Sequence, residues 1–450
     1  MKLISIQQAV TQVEQWFGLP STHELISSGI YRNPEYDQQP FYKVELEWNK
    51  KGEAELDDEG LVNRHTIRAE LDARTGRLLA YYRHDHRGKR GQVEVEMEDG
   101  TARALMPYVL AWIGKLEHKI DPQELRLIHK TVIGDDLFGL SFGRQYRGIE
   151  FGEYQSLQMK LNQDFELIHF NNMWDECIVT EQIDLIPENE FRAALGGGQI
   201  FLTYIGYLAS RHPVYACREN IYNAVTGGLV YSDQAELLEN IDLSTTEPKR
   251  NESITLLRVP IFDADYDSLK LKDGVNEADP YAPHPFFNTI TEEEIERAKD
   301  IAVSYLKIHH ATEPGQFAFI RKPGREAVKN MRGNQVVVEI HRVVNDIPVA
   351  GAGIRVVIDH RSWNVKNVVD ALEITRAVND SLDLRELQAA AIPSSTAWEQ
   401  LKDKVELKLQ YRFEGDEDVP EGAVKRAILT YALDCGWLCD ACTGEIIRMD

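Results

Sequence analysis

The clearest cluster of chemically capable residues is the segment CGWLCDAC near the C-terminus, which carries Cys435, Cys439 and Cys442. Two thiols separated by two residues, with a third nearby, could begin a zinc site, because structural zinc takes four thiolate or imidazole ligands. The neighbouring sequence offers no evident fourth ligand. Cys442 also occupies the variable position of a turn that recurs elsewhere in the chain. The pattern therefore favours an ordinary hairpin over a metal or redox site, and we predict no bound metal and no cofactor.

Three aspartates begin a segment in the manner of a calcium loop, namely Asp263, Asp265 and Asp267. An EF-hand loop places glycine at its sixth position and a bidentate glutamate at its twelfth. Here those two positions hold Ser268 and Gly274. The segment is therefore interpreted as acidic connecting chain and not as a calcium site.

Two further patterns also have structural interpretations. Gly196 to Gly198 lie between a short predicted helix and a strand, whereas a phosphate loop needs strand, glycines and helix in that order. His309 and His310 end a predicted helix, where imidazole suits the negative end of the helix dipole. The sequence contains no kinase motif set and no His-Glu-x-x-His zinc motif. It therefore predicts a non-enzyme, with an enzyme of unrecognised type as the alternative.

One turn formula occurs three times: Asp or Asn, Ala, any residue, Thr, Gly, and then an apolar pair. The first residue can accept hydrogen bonds from amides two or three positions on, and the glycine supplies the positive φ that ends a short hairpin loop. Three copies between strand-like flanks predict a repeated unit. The six structural turn residues are Asp72, Gly76, Asn223, Gly227, Asp440 and Gly444.

Composition limits the kinds of partner. A chain of 450 residues predicts about two to four domains, and an apolar fraction of 43% is that of a globular protein. The formal net charge of -23 repels phosphate backbones and anionic headgroups. Arg83 to Arg90 is a short basic run without aromatic residues, and a solvated loop is the favoured interpretation. We predict no nucleic-acid and no membrane partner.

The N-terminus has neither an uninterrupted apolar core nor a small-residue cleavage site, so it does not predict a signal peptide. It predicts a helix, because Ser5 and Gln8 form a capping-box pattern before an apolar face. The odd number of cysteines, five, favours reduced thiols over a disulfide framework. These features predict a cytoplasmic location.

The elements that position these residues centre on Gln335 to Val369, whose alternation predicts a three-strand meander. Its arginine, Arg342, aligns with Arg144 of a similar segment in the first half of the chain. We expect the apolar residues of this meander to be divided between both faces of its sheet. The four that we assign in this way are Val338, Ile340, Val356 and Ile358.

At these residues the chain resembles proteins built from PepSY-type modules. The segment EIHRVVNDIPVAGAGIRVVIDHRSWNVKNV is similar to the related module in the propeptides of thermolysin-like proteases. The paired arrangement is similar to the YcdB/YcdC repeat proteins of Gram-positive spore-formers, a family without an assigned activity. The resemblance implies a helix packed on a curved antiparallel sheet in each module. It also implies an inhibitory or binding role and a location outside the cytoplasm.

We therefore predict an α+β fold of repeated PepSY/cystatin-like modules arranged as two similar halves. The predicted boundaries are an N-terminal module over 1–95, a first half over 96–233, an acidic proline-containing connector over 234–290 and a second half over 291–450. The short predicted helices include one from Leu382 to about Ala391. The predicted function is non-catalytic binding of a peptide or protein partner, in an oligomeric state that the sequence leaves open. The alternatives are an enzyme with its site between the two halves and an inhibitor of a separate peptidase.

Overall fold

A computed structural model of the chain describes residues 1–34, 41–52, 65–84, 93–134, 137–152, 155–180, 184–205, 210–232, 236–241, 243, 266–287, 290–313, 315–321, 328–331, 335–378, 383–414 and 425–449. The chain divides into two units. Unit 1 comprises Met1–Val179, Asp265–Pro285 and Gln410–Ala427, and unit 2 comprises Thr180–Ala264, Phe286–Leu409 and Ile428–Asp450. The predicted domain boundaries remain a prediction.

The described residues form six α-helices of 7 to 18 residues. They are α1 (Ile6–Phe17), α2 (Asp99–Lys115), α3 (Glu188–Ala194), α4 (Glu292–His309), α5 (Ala371–Val378) and α6 (Ser394–Leu401). Both α1 and α4 begin with a complete capping box, in which Ser5 pairs with Gln8 and Thr291 with Glu294. Among the described residues, no helix is both long enough and apolar enough to span a bilayer.

Unit 1 is built on one antiparallel sheet. Its strands are β1 (His23–Arg32), β2 (Tyr42–Lys50), β3 (Ile67–Asp72), β4 (Leu78–Arg83), β5 (Glu94–Glu96), β6 (Leu125–Ile133), β7 (Leu137–Tyr146), β8 (Ile149–Glu150), β9 (Ser156–Leu161) and β10 (Leu167–Asn172). The strand order is β1-β2-β3-β4-β10-β9-β7-β6-β5, with β8 beside β7. Two meanders, each preceded by a helix, thus join through their last strands, where Phe170 pairs with Tyr81.

The helices of unit 1 cover this sheet through a shared apolar core. The buried residues of α1 are Ala9, Val10, Val13 and Trp16, and those of α2 are Ala102, Leu105, Val109 and Ile113. Both sets belong to one cluster with the inward residues of the strands. Phe17 of α1 stacks on Tyr81 at a ring-centroid distance of 3.6 Å and lies 5.8 Å from Trp112 of α2.

Part of the predicted connector packs onto the edge of this sheet. Arg32, at the end of β1, donates from its guanidinium to the carbonyl oxygens of Pro280 at 2.9 Å and Ala282 at 2.5 Å. His284 lies 2.7 Å from the carbonyl oxygen of Asn33. The residues 266–285 are therefore held by β1, as part of unit 1.

Three further strands lie outside this sheet. They are β11 (Cys177–Val179), β23 (Glu406–Phe413) and β24 (Lys425–Asp434). Within unit 1, β11 pairs in parallel with the first residues of β24, where Cys177 lies opposite Lys425.

Unit 2 also contains a large sheet. The strands of this sheet are β12 (Ile200–Ile205), β13 (Val214–Cys217), β16 (Glu236–Ile241), β17 (Gln316–Arg321), β18 (Val328–Met331), β19 (Gln335–Val344), β20 (Ile347–Ala350), β21 (Ile354–Asp359), β22 (Val365–Asp370), β25 (Trp437–Asp440) and β26 (Ile446–Arg448). Two further strands of unit 2, β14 (Ile221–Asn223) and β15 (Leu229–Tyr231), pair with each other outside this sheet, and β14 also pairs with β24. The main sheet has the order β16-β17-β19-β20-β12-β13-β25-β26, and β18 and β21 also pair with β19. The fold is α+β with sheets that are mainly antiparallel.

The central meander of unit 2 corrects one sequence expectation. Val338 lies opposite Val356, and Ile340 lies opposite Ile354. These residues and Ile358 all belong to the core beneath α4, so the division of the four apolar residues between two faces was wrong. Directly opposed residues share a face of a sheet, and even spacing along each strand keeps them there.

The helix expected from Leu382 to about Ala391 does not form in the described part of this segment, so that expectation was wrong. The described part of this segment contains only a short 3₁₀ turn, from Leu384 to Glu386. Tertiary contacts outweigh helix propensity here. Gln388 donates from its amide to the carbonyl oxygen of Arg211 and accepts at its own carbonyl from the Tyr204 hydroxyl.

The three repeated turns share one geometry. The first side chain accepts from the amide two positions on, as Asp72 does from Arg74 and Asp440 from Cys442. In each turn the glycine amide donates to the carbonyl of the first residue. The φ angles of Gly76, Gly227 and Gly444 are 76°, 71° and 78°. These values lie in the left-handed region, where a Cβ atom is unfavourable.

Gly444 offers a test of that backbone constraint, because a Cβ atom there would meet only Ile392, at an ordinary contact distance of 3.8 Å. We predict that Gly444→Ala lowers the free energy of unfolding by about 1–2 kcal/mol through backbone strain alone. Gly436→Ala is the control, since Gly436 lacks positive φ and a Cβ there has open space. Urea unfolding measures both, and equal stabilities would contradict the prediction.

Candidate functional site

A buried guanidinium stands at the centre of unit 2. Arg342 on β19 is 2% exposed. It forms a two-bond fork with Asp370 at the end of β22, with N–O distances of 2.9 and 2.7 Å. It also donates from Nε to Glu313 at 2.9 Å and from NH1 to the carbonyl oxygen of Ala352 at 2.8 Å. The arginine thus links the end of α4, the central strand and the last strand.

Electrostatics hold both partners of this cluster in their charged forms. Burial would raise the pKa of Glu313, but hydrogen bonds from His310 and Arg342 outweigh it and lower the pKa to about 2. Burial would lower the pKa of Arg342, but the bonds to Asp370 and Glu313 raise it above its ordinary value. His310, Glu313 and Asp370 could in composition hold a metal ion. The Arg342 guanidinium already binds both carboxylates, so this side chain takes the place that a metal ion would need.

Arg144 takes the matching position in unit 1. Arg342 follows Ile340 by two residues, and Ile340 lies opposite Ile354 of the next strand. Arg144 likewise follows Phe142, which lies opposite Leu157. The Nε atom of Arg144 donates to Glu124 at 2.8 Å, as that of Arg342 does to Glu313. The two arginines therefore share their strand position and their first carboxylate.

The second carboxylate differs between the two units. Ile354 pairs with Asp370, and its counterpart Leu157 pairs with Asn172. Asn172 keeps the local role of Asp370, because its Oδ1 accepts from the amide two residues on, at Trp174. It is neutral, however, and cannot balance a guanidinium.

Other groups occupy the rest of the Arg144 guanidinium. Its NH1 donates to the carbonyl oxygen of Asp175 at 2.9 Å. Burial raises the pKa of the Cys177 thiol, and a hydrogen bond with Arg144 opposes that rise. The ring of Phe151 lies 4.6 Å from the guanidinium carbon. Each of these contacts is weaker as a counter-charge than the carboxylate fork of unit 2.

A cavity of about 240 Å³ opens beside this arginine. We call it the Arg144 cavity. Its lining lies wholly in unit 1 and consists of Arg77, His118, Lys119, Ile120, Glu124, Arg144, Asn172, Trp174, Asp175, Glu176 and Cys177. The position that Asp370 fills in unit 2 is thus bordered by open space in unit 1.

His118 is a neutral member of the lining. Burial and the charge of Arg77 lower its pKa to about 4. Its Nδ1 atom lies 3.3 Å from the side-chain amide of Asn172. At neutral pH the imidazole therefore contributes hydrogen bonding to the cavity but no charge.

The three cysteines of the CGWLCDAC segment, for which the sequence favours a hairpin over a metal site, do not form one cluster. Within the described ranges, no ligand group contains Cys435, Cys439 and Cys442. A hydrogen bond with Cys217 on the neighbouring strand lowers the pKa of Cys435 to about 7, while burial opposes it. All five thiols are free. Cys442 instead lies in a cluster with His212 and Asp440.

The other sequence patterns have the following positions. His309 and His310 end α4, and His310 is buried 2.8 Å from Glu313. Gly197 begins a 3₁₀ turn that leads into β12. Asp263, Asp265 and most of the run from Arg83 to Arg90 lie outside the described residues.

Sequence reasoning aligned the two arginines but missed their partners. Glu124 and Glu313 lie at different distances from them along the chain, so a fixed-period comparison does not detect the pair. Asp370 and Asn172 become comparable only through strand register. A signal did exist for Asp370, because it directly follows the meander predicted to end at Val369.

Comparisons with known proteins supply little beyond this geometry. No protein-family model matches the chain, and no curated protein matches it. Among solved structures it is similar to the Bacillus megaterium YpeB C-terminal domain, with 13% identity over 53% of this chain and 100% of that domain, at a TM-score of 0.29. A TM-score of this size establishes no common fold. The modular PepSY assignment stays a prediction.

The Arg342 cluster generates a stability prediction. Asp370→Asn leaves the buried guanidinium with one carboxylate, and we expect the free energy of unfolding to fall by about 2–3 kcal/mol. Glu373→Gln, an exposed neutralisation on α5, is the matched control and should change it by less than about 0.5 kcal/mol. Urea unfolding distinguishes them. Similar effects of the two substitutions would show that Arg342 does not depend on the second carboxylate.

His118 generates a pH prediction. Its pKa is about 4 in the folded protein against an ordinary value of 6.5. The unfolded chain binds more protons between those values, so this contribution to stability is complete above pH 6.5 and is lost as the pH falls to 4. The full loss is about 3 kcal/mol. His118→Gln should flatten this part of the stability profile, whereas exposed His129→Gln should not. Parallel profiles for the wild type and His118→Gln would contradict the assignment.

Proposed function

We propose that this protein is a non-catalytic binding protein that holds an acidic group of a peptide or protein partner in the Arg144 cavity. One observation carries the proposal. Arg342 is balanced by two carboxylates, whereas its counterpart Arg144 has one, and the place of the second borders open space. A carboxylate brought by a partner would complete the fork that unit 2 completes from its own chain.

The charges around the cavity favour such a ligand. Glu124 is paired with Arg144, and Asp175 is paired with Lys425 at 3.1 Å. Arg77 and Lys119 make no ion pair within the part of the chain that the structure describes. Two positive side chains therefore face the cavity beyond those already neutralised, against one further carboxylate, the exposed Glu176.

The size of the cavity limits the ligand. Pockets for drug-sized molecules and cofactors measure roughly 300–1,000 Å³. The Arg144 cavity, at about 240 Å³, suits one side chain or a chain terminus. Met173 and Ile178 flank the lining segment and are 51% and 59% exposed. They offer apolar surface for the residues that adjoin the acidic group.

A calorimetric titration with short peptides tests the proposal. We predict that acetyl-Gly-Asp-Gly-amide binds in the millimolar range, about -4 kcal/mol, and that acetyl-Gly-Asn-Gly-amide does not. Acetyl-Gly-Gly-Gly with a free C-terminus distinguishes a terminal carboxylate from an acidic side chain. Absence of binding by both acidic peptides, or equal binding of the Asp and Asn peptides, would overturn the proposal. Turnover of a bound peptide would favour the enzyme alternative.

Variants locate the binding. Asn172→Asp supplies the missing carboxylate from within the chain and should weaken binding at least about tenfold. Asn171→Asp adds the same charge on the opposite face of β10, since successive residues alternate, and should leave binding unchanged. Lys119→Glu, at an exposed position, should also weaken binding. Unaltered affinity in both Asn172→Asp and Lys119→Glu would place the peptide elsewhere.

A further inference from the structure

A second group of reactive side chains lies in unit 2, at one end of the paired strands β13 and β25. It consists of His212, Asp440 and Cys442, each of which offers one ligand atom within 4.8 Å of the other two. The Nδ1 atom of His212 lies 2.8 Å from Oδ2 of Asp440. The three atoms are one nitrogen, one oxygen and one sulfur.

Strand register brings the three residues together. Val214 lies opposite Asp440, and the amide of Ala441 donates to the carbonyl oxygen of Pro213 at 2.8 Å. His212 and Cys442 lie just beyond these paired residues, in the bend before β13 and in the turn after β25. The turn holds Cys442 beside Asp440, since the amide of Cys442 donates to Oδ1 of Asp440 at 2.7 Å. Strand pairing and the turn together therefore bring the three residues into one cluster.

The turn also orients the carboxylate. Oδ1 of Asp440 accepts from the amides of Cys442 and Thr443 at 2.7 and 2.8 Å. That leaves Oδ2 directed at the imidazole. Asp440 is 7% exposed, while His212 and Cys442 are half-buried, so an ion from solvent can reach the group.

Turn formation itself does not require this chemistry. In the first copy of the turn, Oδ2 of Asp72 accepts from the hydroxyl of Thr75 at 2.8 Å. The positions that correspond to Cys442 hold Arg74 and Val225. The thiol and the imidazole are therefore not required by the shared turn geometry, and the thiol's own contact is a hydrogen bond to the carbonyl oxygen of Ala389 at 3.4 Å.

We propose that His212, Asp440 and Cys442 form a zinc site with water as the fourth ligand. Ligand bonds of about 2.0–2.3 Å in a tetrahedron place donor atoms about 3.3–3.8 Å apart. The 2.8 Å contact between His212 and Asp440 must therefore open slightly on binding, and the Cys442 thiol, already within 4.8 Å of both, must come within the same range. A set with thiolate and imidazole selects zinc over magnesium or calcium, which prefer oxygen ligands. The other group of similar composition, around His310, contains Arg342 in the place of an ion.

Cobalt(II) titration of the full-length protein tests the site, because thiolate bound to tetrahedral cobalt gives a charge-transfer absorption and strong visible bands. We expect one cobalt per chain, displaced by zinc, with the charge-transfer band absent in Cys442→Ser. His212→Gln should weaken binding at least about tenfold. Cys177→Ser is the thiol control and should bind as the wild type does.

Three outcomes would overturn the assignment. They are no stoichiometric binding at micromolar cobalt, a charge-transfer band that survives in Cys442→Ser, or undiminished affinity in His212→Gln. Circular dichroism of each variant verifies that it is folded, and His212→Gln keeps the test decisive if Cys442→Ser does not fold. Peptide binding at the Arg144 cavity is measured separately, so either proposal can fail without the other.

Discussion

A guanidinium buried under a helix must be neutralised where it lies, because an isolated charge in a protein interior costs several kcal/mol. In unit 2 this requirement links parts of the chain that are far apart in sequence. Glu313 follows α4, Arg342 lies on the central strand and Asp370 ends the last strand. The residues between them must form a meander of the observed register, since a slip of one residue would move the arginine to the other face.

The two units meet the same requirement in different ways. Unit 2 neutralises Arg342 with residues of the same unit, and its Asp370 is bound by a two-bond fork. Unit 1 has Asn172 at the matching position and relies on Glu124, a backbone carbonyl and aromatic contact. A charge that is incompletely balanced beside open space lowers the stability of the fold. Such charges are frequently found where a ligand supplies the missing partner.

Features encoded by neighbouring residues could be predicted from the sequence. The capping box at Ser5 and the glycine of the turn at Gly444 depend on contacts within a few positions, and the antiparallel meander on strands that follow one another closely in sequence. The short helix expected after Leu382 could not be excluded in the same way, because the backbone there bonds to Tyr204 and Arg211. Both candidate sites depend on register between strands distant in sequence, and single-sequence periodicity contains no information about register.

The junction between β4 and β10 has a consequence for biosynthesis. A ribosome releases the first helix and meander before the second has been made, so β4 (Leu78–Arg83) has a bare edge until Leu167–Asn172 emerges. The carbonyl groups that Arg32 needs, at Pro280 and Ala282, arrive later still. During translation, the nascent N-terminal region therefore has unpaired backbone groups along β4 and an Arg32 guanidinium that lacks its carbonyl acceptors. Its co-translational folding is completed only by residues from far downstream.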